Sequence, residues 1–301
     1  YGEGWARAME TLLPLGGAAQ VQKMLHTLVD VSAQAQLAPG RLARSVSLGG
    51  RVTQVGGERE SAQFVALVHQ TLLWSGDRAF AEDMLPVTGL CIHYLRRTTR
   101  GFEDIQPDLV EDIRAALVGQ TYILHLTGAD DTAIRTLIEK LPAQAEQSEE
   151  NMTLAQQAMR CGEEAHIGRM IGKLGQMVHT AAPGLPGSIR TEDAAPGVLL
   201  QASAGYGLVR TVFNSLFGIR PDAGKKEIFW HPHTPIGWEG WQIENVKIGG
   251  DLFSVKSERV SPSQARYTLT TDGQGWRVKT MENGEIKETE VNGELSLVME
   301  D

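Results

Sequence analysis

The chain has 301 residues, 42% of them hydrophobic and 22% charged, with a formal net charge of -9. That length and balance suffice to bury a sizeable core, and the acidic surplus excludes a nucleic-acid binder, which needs clustered Lys and Arg on the phosphates. With no run of about 18 apolar residues, no membrane-spanning helix is expected.

The first residues, Tyr1-Gly2-Glu3-Gly4-Trp5, carry no initiator Met and no signal or transit segment, and read as the interior of a longer chain. Helical periodicity then dominates about two-thirds of the sequence. A first helix is expected over Trp5 to Leu15, stopping at Gly16-Gly17, and a second from Ala18 to Ala35 with Val21, Leu25, Leu28 and Val29 on one face. The stretch from Arg41 to Gly57, with Gly49-Gly50 and Gly56-Gly57, reads as a long loop. Ser61 is the expected cap of a helix whose apolar face is Phe64, Val65, Val68, Leu72 and Leu73. Asp77 is the expected cap of the next, which carries Phe80, Met84, Leu85, Leu90 and Tyr94 and is expected to kink at Pro86. A second loop covers Thr98 to Gln106. Pro107 then suits a first helical turn, with Asp108, Glu111 and Asp112 near the positive helix end. That helix stops at Gly128, and others follow at Ile134 to Leu141, Met152 to Met159, Ala165 to Val178 and Val198 to Phe217.

Paired helices between long loops form the pattern of an antiparallel hairpin array. Its helices are expected to build a curved double layer over residues 1–220. After Pro221 the period changes to two, as in Gln242 to Ile248 and Trp276 to Lys279. Gly249-Gly250, Asp272-Gly273, Asn283-Gly284 and Asn292-Gly293 suit tight hairpin turns, so residues 221–301 read as an antiparallel β domain at one edge of the helices.

The two cysteines, Cys91 and Cys161, lie in apolar helical patterns and read as reduced core thiols. His231-Pro232-His233 invites a metal reading, but lacks a nearby third ligand and reads better as a structural turn. No phosphate loop, dinucleotide fingerprint or nucleophile elbow is present. The remaining chemistry lies in loop carboxylates: Glu58 and Glu60, Glu103 and Asp104, Glu192 and Asp193. Each alone is better explained by a solvated loop acid or a helix cap. A pair facing one sugar ring would serve glycoside hydrolysis, one acid protonating the leaving oxygen and the other activating a water or attacking.

Gly205-Tyr206-Gly207-Leu208-Val209-Arg210, Leu216-Phe217-Gly218-Ile219-Arg220-Pro221-Asp222, Pro232 and Pro235-Ile236-Gly237-Trp238 resemble the end of the six-hairpin (α/α)6-barrel glycosidases. Amylo-α-1,6-glucosidases and α-L-rhamnosidases share this junction into a C-terminal β-sandwich. Val246-Lys247-Ile248-Gly249 is similar to the strand and turn that follow. Gly76-Asp77-Arg78 with Leu85-Pro86 resembles a hairpin of the same barrels. The resemblance implies a toroid of twelve helices, of which about nine are read here. The missing ones are expected before Tyr1 or on another chain or fragment that completes the barrel. The family's "RD" near the first helix is Gly4-Trp5 here, and its "QAWS" reads Gln201-Ala202-Ser203-Ala204.

Carried over by position, the family's acid falls on Asp104 in Phe102-Glu103-Asp104, and its base on Glu192 in the loop Gly187 to Glu192, one residue longer than the pattern. The resemblance thus implies an inverting hydrolysis of an oligo- or polysaccharide with Asp104 as acid and Glu192 as base, and neither cofactor nor metal. Trp5 and Trp74 are candidates for stacking on the sugar, with a core role at least as well supported for Trp74. Glu60, Glu103 and Arg190 are further candidates for binding it. Arg190 beside the base also leaves open a disaccharide phosphorylase, and a third reading is a non-catalytic carbohydrate-binding or assembly subunit. Phe229, Trp230, Trp238 and Trp241 are expected to be structural, packed where the barrel meets the sandwich.

Overall fold

The computed structural model describes residues 5–141, 209–210, 212–235, 237–282 and 285–300. Their contacts fall into two compact units, Tyr1–Leu13 with Gly17–Glu146, and Pro14–Gly16 with Gln147–Asp301.

The first unit holds six α-helices among the described residues: α1 (Trp5–Glu10), α2 (Ala18–Gln34), α3 (Glu58–Ser75), α4 (Arg78–Thr98), α5 (Val110–Thr127) and α6 (Thr132–Lys140). Their boundaries follow local chemistry. The Asp77 carboxylate accepts from the Phe80 amide at 3.1 Å and caps α4. Pro107 opens a 3-10 turn, Pro107–Leu109, that leads into α5. Gly128 closes α5 in the left-handed conformation. Two boundaries differ from the sequence reading. α1 stops at Glu10 and continues as turns. α3 starts at Glu58, so Ser61 lies inside its first turn, donating its hydroxyl to the Gly40 and Gly57 carbonyls rather than capping. α4 runs from Arg78 to Thr98 with Pro86 inside it.

The packing is layered. α3 packs against α4 and α5, α4 against α5, α1 and α2 against α3, and α6 against α5. The core of α3 is Phe64, Val65, Val68 and Leu72, all at 0% exposure. On α4 the buried stripe is Phe80, Met84, Cys91 and Leu95, whereas Leu90, expected inside, is exposed. Leu90 lies one residue before Cys91, about 100° around the helix and off the stripe. Gly119 sets the α3–α5 spacing, because a Cβ there would come within 2.9 Å of the His69 Cβ.

The segment expected to be a loop between α2 and α3 contains a hairpin, β1 (Ala43–Val46) with β2 (Val52–Val55), whose register slips twice in four residues. Strands this short show too little alternation to be read from sequence.

In the second unit, residues 209–210 are helical, Val212–Leu216 form a π-helical turn, and β3 opens at Ile219. The helices expected at 152–159 and 165–178 lie outside the described residues. β3 (Ile219–Asp222), β4 (Glu227–Trp230), β8 (Trp276–Glu282) and β9 (Glu285–Val291) form one sheet in the order β3-β4-β8-β9. β5 (Gly240–Ile248), β6 (Asp251–Ser261), β7 (Gln264–Thr271) and β10 (Glu294–Glu300) form another in the order β10-β7-β6-β5. All pairs are antiparallel except β4 with β8, so the second unit is mixed rather than purely antiparallel.

Of the four turn dipeptides, Gly249-Gly250 joins the paired strands β5 and β6, and Asn283-Gly284 lies outside the described residues. Asp272-Gly273 and Asn292-Gly293 instead carry the chain from one sheet to the other. Their side chains fasten these crossings. Asp272 Oδ1 accepts from the Leu252 amide and Asn292 Oδ1 from the Gly275 amide, both at 2.7 Å. Between the sheets the Phe253 and Trp276 rings meet edge to face at 4.8 Å, and Trp276 Nε1 donates to Asp251 Oδ2 at 2.7 Å.

Gly218 joins the helical residues to β3 at φ +65, and a Cβ there would lie 2.1 Å from the His231 carbonyl. Gly218→Ala is expected to lower the melting midpoint. The left-handed backbone alone costs about 1–2 kcal/mol with a Cβ, and the clash adds to it. A midpoint equal to wild type would show that this junction yields freely.

The four aromatics expected to be structural differ in burial. Trp230 is fully buried, and the Trp241 ring meets Phe217 tilted at 5.0 Å while donating Nε1 to the His233 carbonyl at 2.9 Å. Phe229 is half-buried beneath the Arg220 guanidinium. Trp238 remains 38% exposed. What fastens its loop is Arg259, which donates to the carbonyls of Thr234 at 2.8 Å, Pro235 at 2.9 Å and Trp238 at 3.3 Å.

Candidate functional site

One end of the first unit collects charged groups. There the N-termini of α3 and α5 lie beside the C-terminus of α4, and both long connections, residues 35–57 and 99–109, emerge. The connections at the opposite end, 76–77 and 128–131, are short. Loops free of core packing can be shaped for chemistry, while short ones only turn the chain.

Two acids at this end are tied into the structure. Glu60, a candidate for substrate binding, accepts from the Gly57 amide at 2.8 Å and sits 3.7 Å from Arg44. That bond satisfies an open helix-terminal amide, so Glu60 caps α3. Asp112 meets Arg59 at 3.3 Å. Burial pushes the Asp112 carboxyl above its ordinary range, against the pull of Arg59 and of a hydrogen bond with Gln63. Sequence reasoning read Asp112 only as a partner of the helix dipole; its burial depends on α3, which no local pattern reveals. Tyr94 is buried here too. Burial and Glu58 push its phenol up, while Arg41 and Arg97 pull it down.

Glu103 and Asp104 project from a braced loop. The Thr99 hydroxyl donates to the Leu95 carbonyl at 2.8 Å, and the Thr99 carbonyl accepts from the amides of Phe102 at 3.0 Å and Asp104 at 3.1 Å. Arg100, Gly101 and Phe102 follow one another at φ 48, 77 and 74, a costly conformation for the two side-chain-bearing residues. The Phe102 ring offsets that cost by burial at 4% exposure. With Phe102 turned inward, Glu103 and Asp104 are both exposed.

Trp5 and Trp74 retain 5% and 7% exposure, so each would offer a sugar no more than an edge. They also stand apart, Trp5 opening α1 and Trp74 in the last turn of α3. Glu60, Glu103 and Asp104 thus share one end of the unit. Arg190, Glu192 and Asp193 lie outside the described residues.

The His231-Pro232-His233 segment, expected to turn, instead runs extended alongside Leu216 to Gly218. The His231 amide donates to the Gly218 carbonyl and the His233 amide to the Leu216 carbonyl, each at 3.0 Å. Burial, then Arg220, push the His231 imidazole down. No cluster of three or more metal-ligating side chains occurs among the described residues, and no described helix is long and apolar enough to cross a membrane. Burial raises the Cys91 thiol to about 12. In the native protein the Cys91 peptide is expected to escape iodoacetamide, since the thiolate is the reactive form. Rapid labelling mapped to Cys91 would contradict its burial.

No family model matches the chain, and no curated protein matches it. Its fold does match solved structures. The α-L-rhamnosidase of Streptomyces avermitilis in complex with L-rhamnose superposes over 99% of this chain and 38% of that one, at TM-score 0.62 and 12% identity. The α-L-rhamnosidase of Dictyoglumus thermophilum superposes over 99% and 46%, at TM-score 0.65 and 10% identity. That of Aspergillus terreus superposes over 98% and 45%, at TM-score 0.60 and 10% identity. The chain therefore has a fold found in these proteins and spans less than half the length of each.

Proposed function

We propose that this chain is part of a glycoside hydrolase of the six-hairpin superfamily, cleaving a glycosidic bond in an oligo- or polysaccharide. The observation that carries the reading is the fold match over nearly the whole chain to three α-L-rhamnosidases. Under it, residues 1–220 belong to an (α/α)6 toroid and residues 221–301 to its β-sandwich. Asp104 acts as general acid and Glu192 as general base, in an inverting reaction without a cofactor. Glu103 and Arg190 bind sugar hydroxyls. Inversion requires the two carboxyl groups to stand roughly 6.5–9.5 Å apart, leaving room for the attacking water.

A second reading draws on length. Because the chain spans 38–46% of the rhamnosidases it matches, another chain or fragment would complete the toroid, and this chain would serve as a binding or assembly subunit. Reducing-sugar release by the full chain from rhamnosyl and glucosyl glycosides, with and without inorganic phosphate, separates the readings. Release without phosphate is expected. Release that depends on phosphate would indicate a phosphorylase, and sugar binding without release the subunit.

A further inference from the structure

Between α3 and α5 runs a groove of ≈ 270 Å³, lined in part by His69, Gln70, Glu111 and Arg114, with Ala115 and Val118 as an apolar wall. Glu111 stands in the first turn of α5, so the groove begins at the end of the unit that carries the Asp104 loop. Its four polar heads are planar: an imidazole, a carboxamide, a carboxylate and a guanidinium. Among them Gln70 offers both a donor and an acceptor and Glu111 an acceptor, which the paired hydroxyls of a sugar need at once. Small apolar side chains beside them suit the C–H face of such a ring. The Glu111 and Arg114 charges cancel, leaving no net attraction for an anion. The volume falls just below the roughly 300–1,000 Å³ of pockets for drug-sized ligands, which fits one ring rather than a chain.

The groove is also held in shape. The His69 and Tyr122 rings pack at 4.8 Å, and bare Gly119 lets α5 approach the His69 Cβ where any side chain would collide. A wall fixed before binding lowers the ordering cost of taking a ligand.

We propose that this groove is a binding subsite for one neutral pyranose ring, taking its ligand class from the glycosidase reading above. The test is calorimetric titration of the full chain with L-rhamnose, D-glucose and D-glucuronate. At least one neutral sugar should bind, and more tightly than D-glucuronate. Ala115→Trp, at an exposed position of α5, should weaken that binding tenfold or more with an unchanged melting midpoint. Gln70→Ala, which removes a polar head without adding bulk, should weaken it severalfold. The inference is overturned if neither neutral sugar binds, if both variants bind like wild type, or if D-glucuronate binds as tightly. Glycoside cleavage measured alongside keeps the two ideas apart. Cleavage with unaltered binding in both variants would sink the subsite alone, and groove-dependent binding without cleavage would sink the hydrolase reading alone.

Discussion

Asp104→Asn is expected to abolish turnover of glycosides with poor leaving groups while sparing much of the turnover of an activated aryl glycoside. A general acid contributes about 10²–10⁴-fold by protonating the departing oxygen. A nitrophenolate leaves without that proton, so the loss should shrink towards unity on it. The loop fixes where the residue sits. Thr99 holds the Phe102 and Asp104 amides, Phe102 is buried, and the acids face outward. Glu192→Gln should behave differently, because a base that activates water is needed whatever the leaving group. It should slow both substrates alike. Rates on the two substrates, measured for both variants, check the assignment. Equal loss on both substrates in Asp104→Asn would give that residue another role.

Trp230→Ala is expected to cost about 3–5 kcal/mol, the range for truncating a large buried aromatic. Trp230 is 0% exposed on β4, next to the parallel pairing with β8. Trp238→Ala should cost far less, since that indole is 38% exposed and its loop is held by Arg259 through backbone carbonyls. Denaturant titration of both variants tests the contrast. Equal midpoints for the two would show that the buried indole contributes no more than the exposed one.

Where a single side chain acts on its neighbours, the sequence was legible. Asp77 caps α4, Pro107 opens the turn before α5, and Gly128 closes α5 as their local chemistry requires. The change of period also marked the passage from helices to strands near Ile219. Pairing was not legible. Gly249-Gly250 and Asn292-Gly293 both read as tight hairpin turns, yet one closes a hairpin and the other crosses between sheets. The difference lies in which distant strands receive the chain. The hairpin of β1 and β2 was hidden for a similar reason, since four-residue strands around Gly49-Gly50 resemble any polar loop.

The site was partly legible. Phe102-Glu103-Asp104 marked a loop whose acids are in fact exposed. Glu60 takes the helix-cap role that its sequence position already offered, its carboxylate accepting from the Gly57 amide. Asp112 looked like a helix-end charge, and only the packing of α5 against α3 makes it a half-buried acid with a raised pKa. Trp74 resembled a sugar platform because exposure, unlike residue type, is decided by tertiary packing.

The most direct test of the glycosidase reading is the anomeric configuration of the first sugar released, followed by proton NMR before mutarotation sets in. Wild-type chain in phosphate-free buffer should release a sugar of inverted configuration. Retained configuration would contradict a water-activating Glu192 opposite Asp104, and no released sugar would contradict hydrolysis by this chain.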